Sequence, residues 1–161
     1  MEYLDLYDKN KKLTGKKILR GIDKIPKDNY IIIVVIFIEN SKGEFLIQKT
    51  SINKGSIWAT TGGHVKSGQT SKEAIIEEVK EELGIDISKD KINLVVSKKF
   101  EEKFEDVYYL NKDINMEELT LQKEEVELVK WLSIEDINKL ISKNKFRKSN
   151  IEFFKLLIER D

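Results

Sequence analysis

Residues 62–85 read GGHVKSGQTSKEAIIEEVKEELGI, and the change of rhythm inside this stretch decides the fold. As far as Gly68 it is glycine-rich and without period. From Thr70 onward apolar residues fall at Ile75, Ile76, Val79 and Leu83, the spacing of one helical face. Thr70 with Glu73 has the form of a capping box, in which each residue satisfies a free backbone N–H of the other. Gly84 stands where a helix closes on a left-handed residue. The stretch therefore predicts a loop feeding a helix that ends at Gly84.

On such a helix residues three and four apart share a face, so Glu78, Glu81 and Glu82 project together, away from the apolar stripe. Like charges at this spacing repel, and near a helix C-terminus the dipole disfavours them further. A hard divalent cation, Mg²⁺ or Mn²⁺, removes the conflict, because it prefers carboxylate oxygens and keeps positions open for phosphate and water. The competing reading is a solvated polar face whose repulsion Lys80 softens.

Upstream, residues 30–38 read YIIIVVIFI, a β-branched run that suits a central strand covered on both faces. Asn40-Ser41-Lys42-Gly43 is a turn cluster and residues 44–49 a second strand, expected to pair with the first as a hairpin. Residues 50–61 lack periodicity and read as a loop. Residues 1–29 form an N-terminal extension with a hairpin expected over 4–20, turning around Asp8-Lys9-Asn10 and Thr14-Gly15. Downstream, strands are expected over 92–97, 107–110 and 126–132, then helices over 134–142 and 149–159. This order predicts an α/β domain of the α+β kind, one unit over residues 1–161, with helices packed on a mixed sheet.

Composition narrows the chemistry. The 29 basic residues balance the 29 acidic ones, so there is no broad footprint for a nucleic-acid polymer. With no cysteine, disulfides, thiolate metal sites and cysteine nucleophiles are excluded; with His64 the single histidine, so is a two-histidine zinc site. The longest apolar run is far short of the roughly 20 residues that span a bilayer, and the N-terminus is acidic where an export signal is basic. The expected location is the cytoplasm, with no membrane partner. A homodimer is compatible with the sequence.

Gly63, five residues, Gln69, seven residues, then Glu77-Glu78-Val79-Lys80-Glu81-Glu82-Leu83-Gly84-Ile85 resembles the Nudix box, here residues 62–85. The family pattern has Glu and Arg where this chain has Gln69 and Glu77; the other specified positions match. Meeting Gly63, Glu78, Glu81, Glu82 and Gly84 by accident is about a one-in-a-million event per starting position at roughly 7% usage each. The resemblance implies an α/β/α sandwich with the box helix on one side of a mixed sheet and the C-terminal helices on the other. It also implies a hydrolase that adds water across a diphosphate bond of a small molecule such as a nucleoside diphosphate derivative. Glu78, Glu81 and Glu82, with the Gly62 carbonyl, become the metal ligands, and Glu78 or Glu125 the general base. Gly63, Gln69, Glu77 and Gly84 become the frame of the box.

Asp5-Leu6-Tyr7-Asp8 with Thr14-Gly15, and Trp58 ahead of Gly62-Gly63-His64, look like the branch near isopentenyl diphosphate isomerases. By that similarity Lys49, Lys54, Trp58 and His64 are candidate substrate contacts. Isomerase chemistry itself is excluded, since those enzymes use a cysteine and several histidines that this chain lacks. The departures at Gln69 and Glu77 leave a second class open, a catalytically silent Nudix-fold module that binds a nucleotide or metabolite. They can also compensate, since a Gln69 amide can donate to a Glu77 carboxylate.

Overall fold

The computed structural model describes residues 1–160 of the chain. Its central element is β3 (Ile31–Glu39), which pairs in parallel with β8 (Lys103–Asn111) over its whole length. Side chains of a strand alternate between faces, and β3 is apolar on both. Ile32, Val34, Ile36 and Ile38 enter one core, where Ile75, Val79 and Leu83 of α1 (Ser71–Leu83) cover them. Val35 and Phe37 enter the opposite core, with Ile137 of α2 (Ile134–Ser142) and Phe153, Phe154 and Leu157 of α3 (Lys148–Glu159). The result is the α/β/α sandwich that the resemblance implies.

The seven-stranded sheet is mixed. Beyond β8 lies antiparallel β7 (Asn93–Lys99); on the other side β4 (Phe45–Thr50) carries antiparallel β9 (Val126–Leu132). The expected β3–β4 hairpin is corrected: after the turn the two strands pair only at Glu39–Phe45 and then part. What separates them is the segment read as a loop. Trp58–Ala59 forms β5 along β4, and Thr61–His64 forms β6 along β3, Gly62 opposite Val35 and Gly63 opposite Val34. Strands of two and four residues are too short to show a period, which is why the sequence reads as loop there.

The N-terminal hairpin, β1 (Tyr3–Tyr7) with β2 (Leu13–Leu19), forms a separate two-stranded sheet. Leu4, Leu6 and Ile18 pack on Ile31, and Tyr7 and Tyr30 exchange backbone hydrogen bonds of 2.8 and 2.9 Å. At its turn, Lys11 Nζ donates to both oxygens of the fully buried Asp106 at 2.8 and 2.9 Å. Asp106 also accepts from Ser97 and from Ser71, the first residue of α1, so one buried carboxylate ties hairpin, sheet and box helix together.

Helix α1 ends as its sequence implies. The Thr70 hydroxyl accepts from Glu73 N at 3.1 Å, while the Glu73 carboxylate accepts from Thr70 N at 2.8 Å. Gly84 has φ 75°, and its N–H bonds to the Lys80 carbonyl at 3.0 Å. A side chain at Gly84 would lie 2.7 Å from the Thr120 carbonyl oxygen, so glycine is required twice over, by conformation and by space. No helix among the described residues is long and apolar enough to cross a membrane.

Candidate active site

Strand β6 carries Gly62, Gly63 and His64 past the middle of α1, and a cleft opens between that strand, the helix, the hairpin and the segment before β9. Glu78, Glu81, Glu82 and Glu125 line it, with Lys54 at the side and Arg20 from the end of the hairpin. Gly63 makes the approach of β6 to α1 close enough to build it. A Cβ there would overlap the Glu78 carboxyl group, so the absent side chain is the cradle in which Glu78 lies.

The carboxylates are not equivalent. Glu82 is 8% exposed and accepts a hydrogen bond of 2.9 Å from Gln48 Nε2, whose own oxygen accepts from Thr61 Oγ1 at 2.8 Å. Glu78 and Glu82 stand within hydrogen-bonding reach of each other, so whichever carboxyl holds a proton can donate it to the other. Burial, then this contact and the neighbouring charge of Glu82, pushes the Glu78 carboxyl up to about 9; burial also raises Glu82. Glu81, with 46% of its side chain exposed, leans toward Lys66 Nζ at 3.9 Å. No three acidic or imidazole groups among the described residues stand as a finished ligand shell.

The donor set nevertheless suits a hard cation. It is all oxygen, Glu82 is buried with the half-buried Glu78 beside it, and Gly63 leaves space where the Glu78 oxygens lie. Glu125, drawn toward Lys54 at 3.5 Å, lines the same cleft.

At the two positions that depart from the box pattern, Gln69 Nε2 donates to Glu77 Oε2 at 3.0 Å, the exchange of donor and acceptor that their side chains allow. Gln69 Oε1 accepts from Lys66 N at 3.0 Å, and Lys66 Nζ bonds Glu77 Oε1 at 2.6 Å. Lys66 thus supplies the positive charge that the pattern places on the helix, from the loop instead.

Of the candidate substrate contacts, His64 and Lys54 border the cleft. Burial, with the charges of Arg20 and Lys103, lowers the His64 imidazole to about 4, so it is neutral near pH 7. Lys49 and Trp58 line no part of the cleft. Lys49 pairs with Glu127 at 3.5 Å. Trp58 packs on the α2–α3 side and exchanges backbone bonds with Lys145 and Arg147, because β5 turns it toward that core. Sequence reasoning missed Gln48, Arg20, Arg147 and Gln122. Alternation could have found Gln48, a polar residue on the strand face of buried Leu46. The others carry no local signal.

The geometry, a box helix cradled by a glycine strand over an acidic cleft, defines the class, and comparison with known proteins gives the family. The NUDIX domain matches residues 29–157. An uncharacterized Nudix hydrolase of Listeria monocytogenes is 38% identical over 151 residues, covering 91% of this chain and 88% of that one. A protein of Deinococcus radiodurans of solved structure superposes with a TM-score of 0.80 at 24% identity, over 99% of this chain and 100% of that one. A MutT protein of Methanosarcina mazei superposes at 0.57 with 25% identity, over 81% and 96%. The chain belongs to the Nudix family and is a Nudix hydrolase.

Proposed function

We propose that this chain is a Mg²⁺- or Mn²⁺-dependent pyrophosphohydrolase that cuts a diphosphate bond in a nucleoside diphosphate derivative or related small molecule, using the cleft between β6 and α1. The observation that carries the reading is the Glu78–Glu82 pair, one carboxyl buried and its neighbour half-buried in the same cleft. Two carboxyls held this close with a proton on one of them gain most when a cation replaces that proton. Glu78, Glu81 and Glu82, with the Gly62 carbonyl, would hold the ion. When bound, a divalent cation neutralises phosphate oxygens and acidifies water.

The remaining work falls to this chain's own groups. Gln48 fixes the Glu82 carboxylate, and the Gly63 cradle fixes Glu78. Lys54 and Arg20, at the edges of the cleft, face the charge of the diphosphate. Water adds to one phosphorus as its bond to the bridging oxygen breaks, and two phosphorylated products leave. Glu78, with Glu125 second, takes the proton of that water. The Lys66–Glu77–Gln69 bridge supports the catalytic reading over a silent binding module, since it rebuilds the joint that the two departures would otherwise break.

The test is a screen of nucleoside di- and triphosphates, nucleotide sugars, dinucleotides and isoprenoid diphosphates with Mg²⁺ or Mn²⁺, alongside Glu81→Gln and Glu82→Gln. Metal-dependent turnover of one class, lowered about 100-fold or more in the variants, is expected. No turnover of any compound would favour the binding module.

A further inference from the structure

Gly62, Gly63, His64 and Arg20 border a second recess, of about 270 Å³, which continues from the acidic cleft over the face of β3 toward α3. Its chemistry is the reverse of its neighbour's. Arg20, Lys103 and Arg147 converge there against one carboxylate, Glu105, over a floor of Ile33 and Val35. Arg20 is paired with Glu2 at 2.9 Å and Lys103 with Glu105 at 3.6 Å, which leaves Arg147 as the cation with no ion pair among the described residues.

Asn150, only 1% exposed, accepts from Thr60 N through Oδ1 at 3.1 Å. That bond takes up the amide oxygen, and Nδ2, which makes no hydrogen bond among the described residues, is left open to the recess that Asn150 lines. No phenylalanine, tyrosine or tryptophan lines this space; its one ring is the small His64 imidazole at the border with the acidic cleft, so the recess offers charge and hydrogen bonds more than a stacking platform. A buried amide donor, a guanidinium without a carboxylate and a small volume suit a compact, acceptor-rich anion.

We propose that this recess binds a phosphate ester that the substrate carries away from the bond being cut, through Arg147, the Asn150 amide and Arg20. The proposal rests on the pyrophosphohydrolase reading for what the neighbouring cleft does. It makes the preferred substrate class a diphosphate whose other part is a small phosphorylated polyol or sugar.

The recess is tested without turnover, by titration calorimetry of the full chain with ribose 5-phosphate and with ribose. Saturable uptake of the phosphate ester and none of the sugar is expected. Arg147→Gln should weaken that uptake about 10- to 100-fold, the value of one charge-assisted hydrogen bond. Lys148→Gln, which removes the exposed neighbouring cation, should leave it as it was; circular dichroism confirms that both variants are folded. Absence of uptake at millimolar ribose 5-phosphate, or equal uptake by Arg147→Gln, overturns the proposal. Turnover of 5-phosphoribosyl 1-diphosphate and of UDP with Mg²⁺ is measured alongside. Arg147→Gln should lose at least tenfold more kcat/KM on the first than on the second. Diphosphate turnover without ribose 5-phosphate uptake sinks the recess alone; Arg147-dependent uptake without any turnover sinks the hydrolase reading and leaves the recess standing.

Discussion

Lys66 shows how a side chain outside the expected pattern can complete it. Its Nζ touches Glu77, its backbone N–H holds Gln69, and both meet where the box pattern asks for one charged pair. Removing such an outer support commonly lowers metal affinity or activity about 10- to 100-fold. Lys66→Ala should therefore lower turnover with Mg²⁺ by that order, Gln69→Ala by less, and the double variant by less than the product of the two. Strictly multiplicative losses in the steady-state assay would show that the three residues do not act as a unit. The donor–acceptor exchange between Gln69 and Glu77 was legible in the sequence, because it needs only the inventory of the two side chains. Lys66 was not, since its reach depends on how residues 64–70 fold back over the helix.

Among the elements, α1 and the long strands announce themselves, whereas the glycine strand does not. Thirteen residues of helix carry an apolar stripe, a capping box and a closing glycine, and the structure keeps all three. Thr70→Ala should cost about 1 kcal/mol by loss of the cap, a fall of about 2–4 °C in thermal midpoint for a chain of this size. Gly84→Ala should cost more, because it adds a left-handed strain to a collision with Thr120. Calorimetry of the two variants ranks them, and a smaller loss at Gly84 would contradict the packing seen there. Residues 58–64 gave no such signal. Their pairing is decided by residues outside the stretch, Lys49 and Gln48 for β5 and residues 33–36 for β6, and the Gly62–Gly63 step has no side chains with which to show a period. The parting of β3 from β4 follows from the same hidden strands.

At the scale of the whole molecule, the site is a compromise between stability and charge. The folded pKa values of Glu78 and Glu82 are raised above 4.5, so the native state holds its proton more firmly than the unfolded chain does. Metal-free stability should then be greatest at acid pH, as far as these two groups govern it, and fall as pH rises from the unfolded value toward about 9. Glu78→Gln removes the ionisable group and should flatten that fall, raising the urea midpoint in chelator at pH 8 while abolishing metal uptake. Mg²⁺ should stabilise the native protein more at pH 8 than at pH 5, because uptake must displace the proton that the pair holds. An equal gain at both pH values would count against a cation between these carboxylates. None of this could be read from the helix pattern, which places three glutamates on one face but cannot say that Glu82 is buried, Glu78 half-buried and Glu81 exposed.

The distribution of the two recesses along the chain has an evolutionary corollary. Every side-chain oxygen assigned to the ion lies within residues 62–85, whereas Arg20, Lys103 and Arg147 come from the hairpin's end, the start of β8 and the residue ahead of α3. Codons for the acidic clamp and codons for the basic recess can therefore mutate independently. If the recess binds as proposed, a library randomised at Lys103 and Arg147, which border the recess but not the acidic cleft, should change substrate preference while the acidic clamp is left intact.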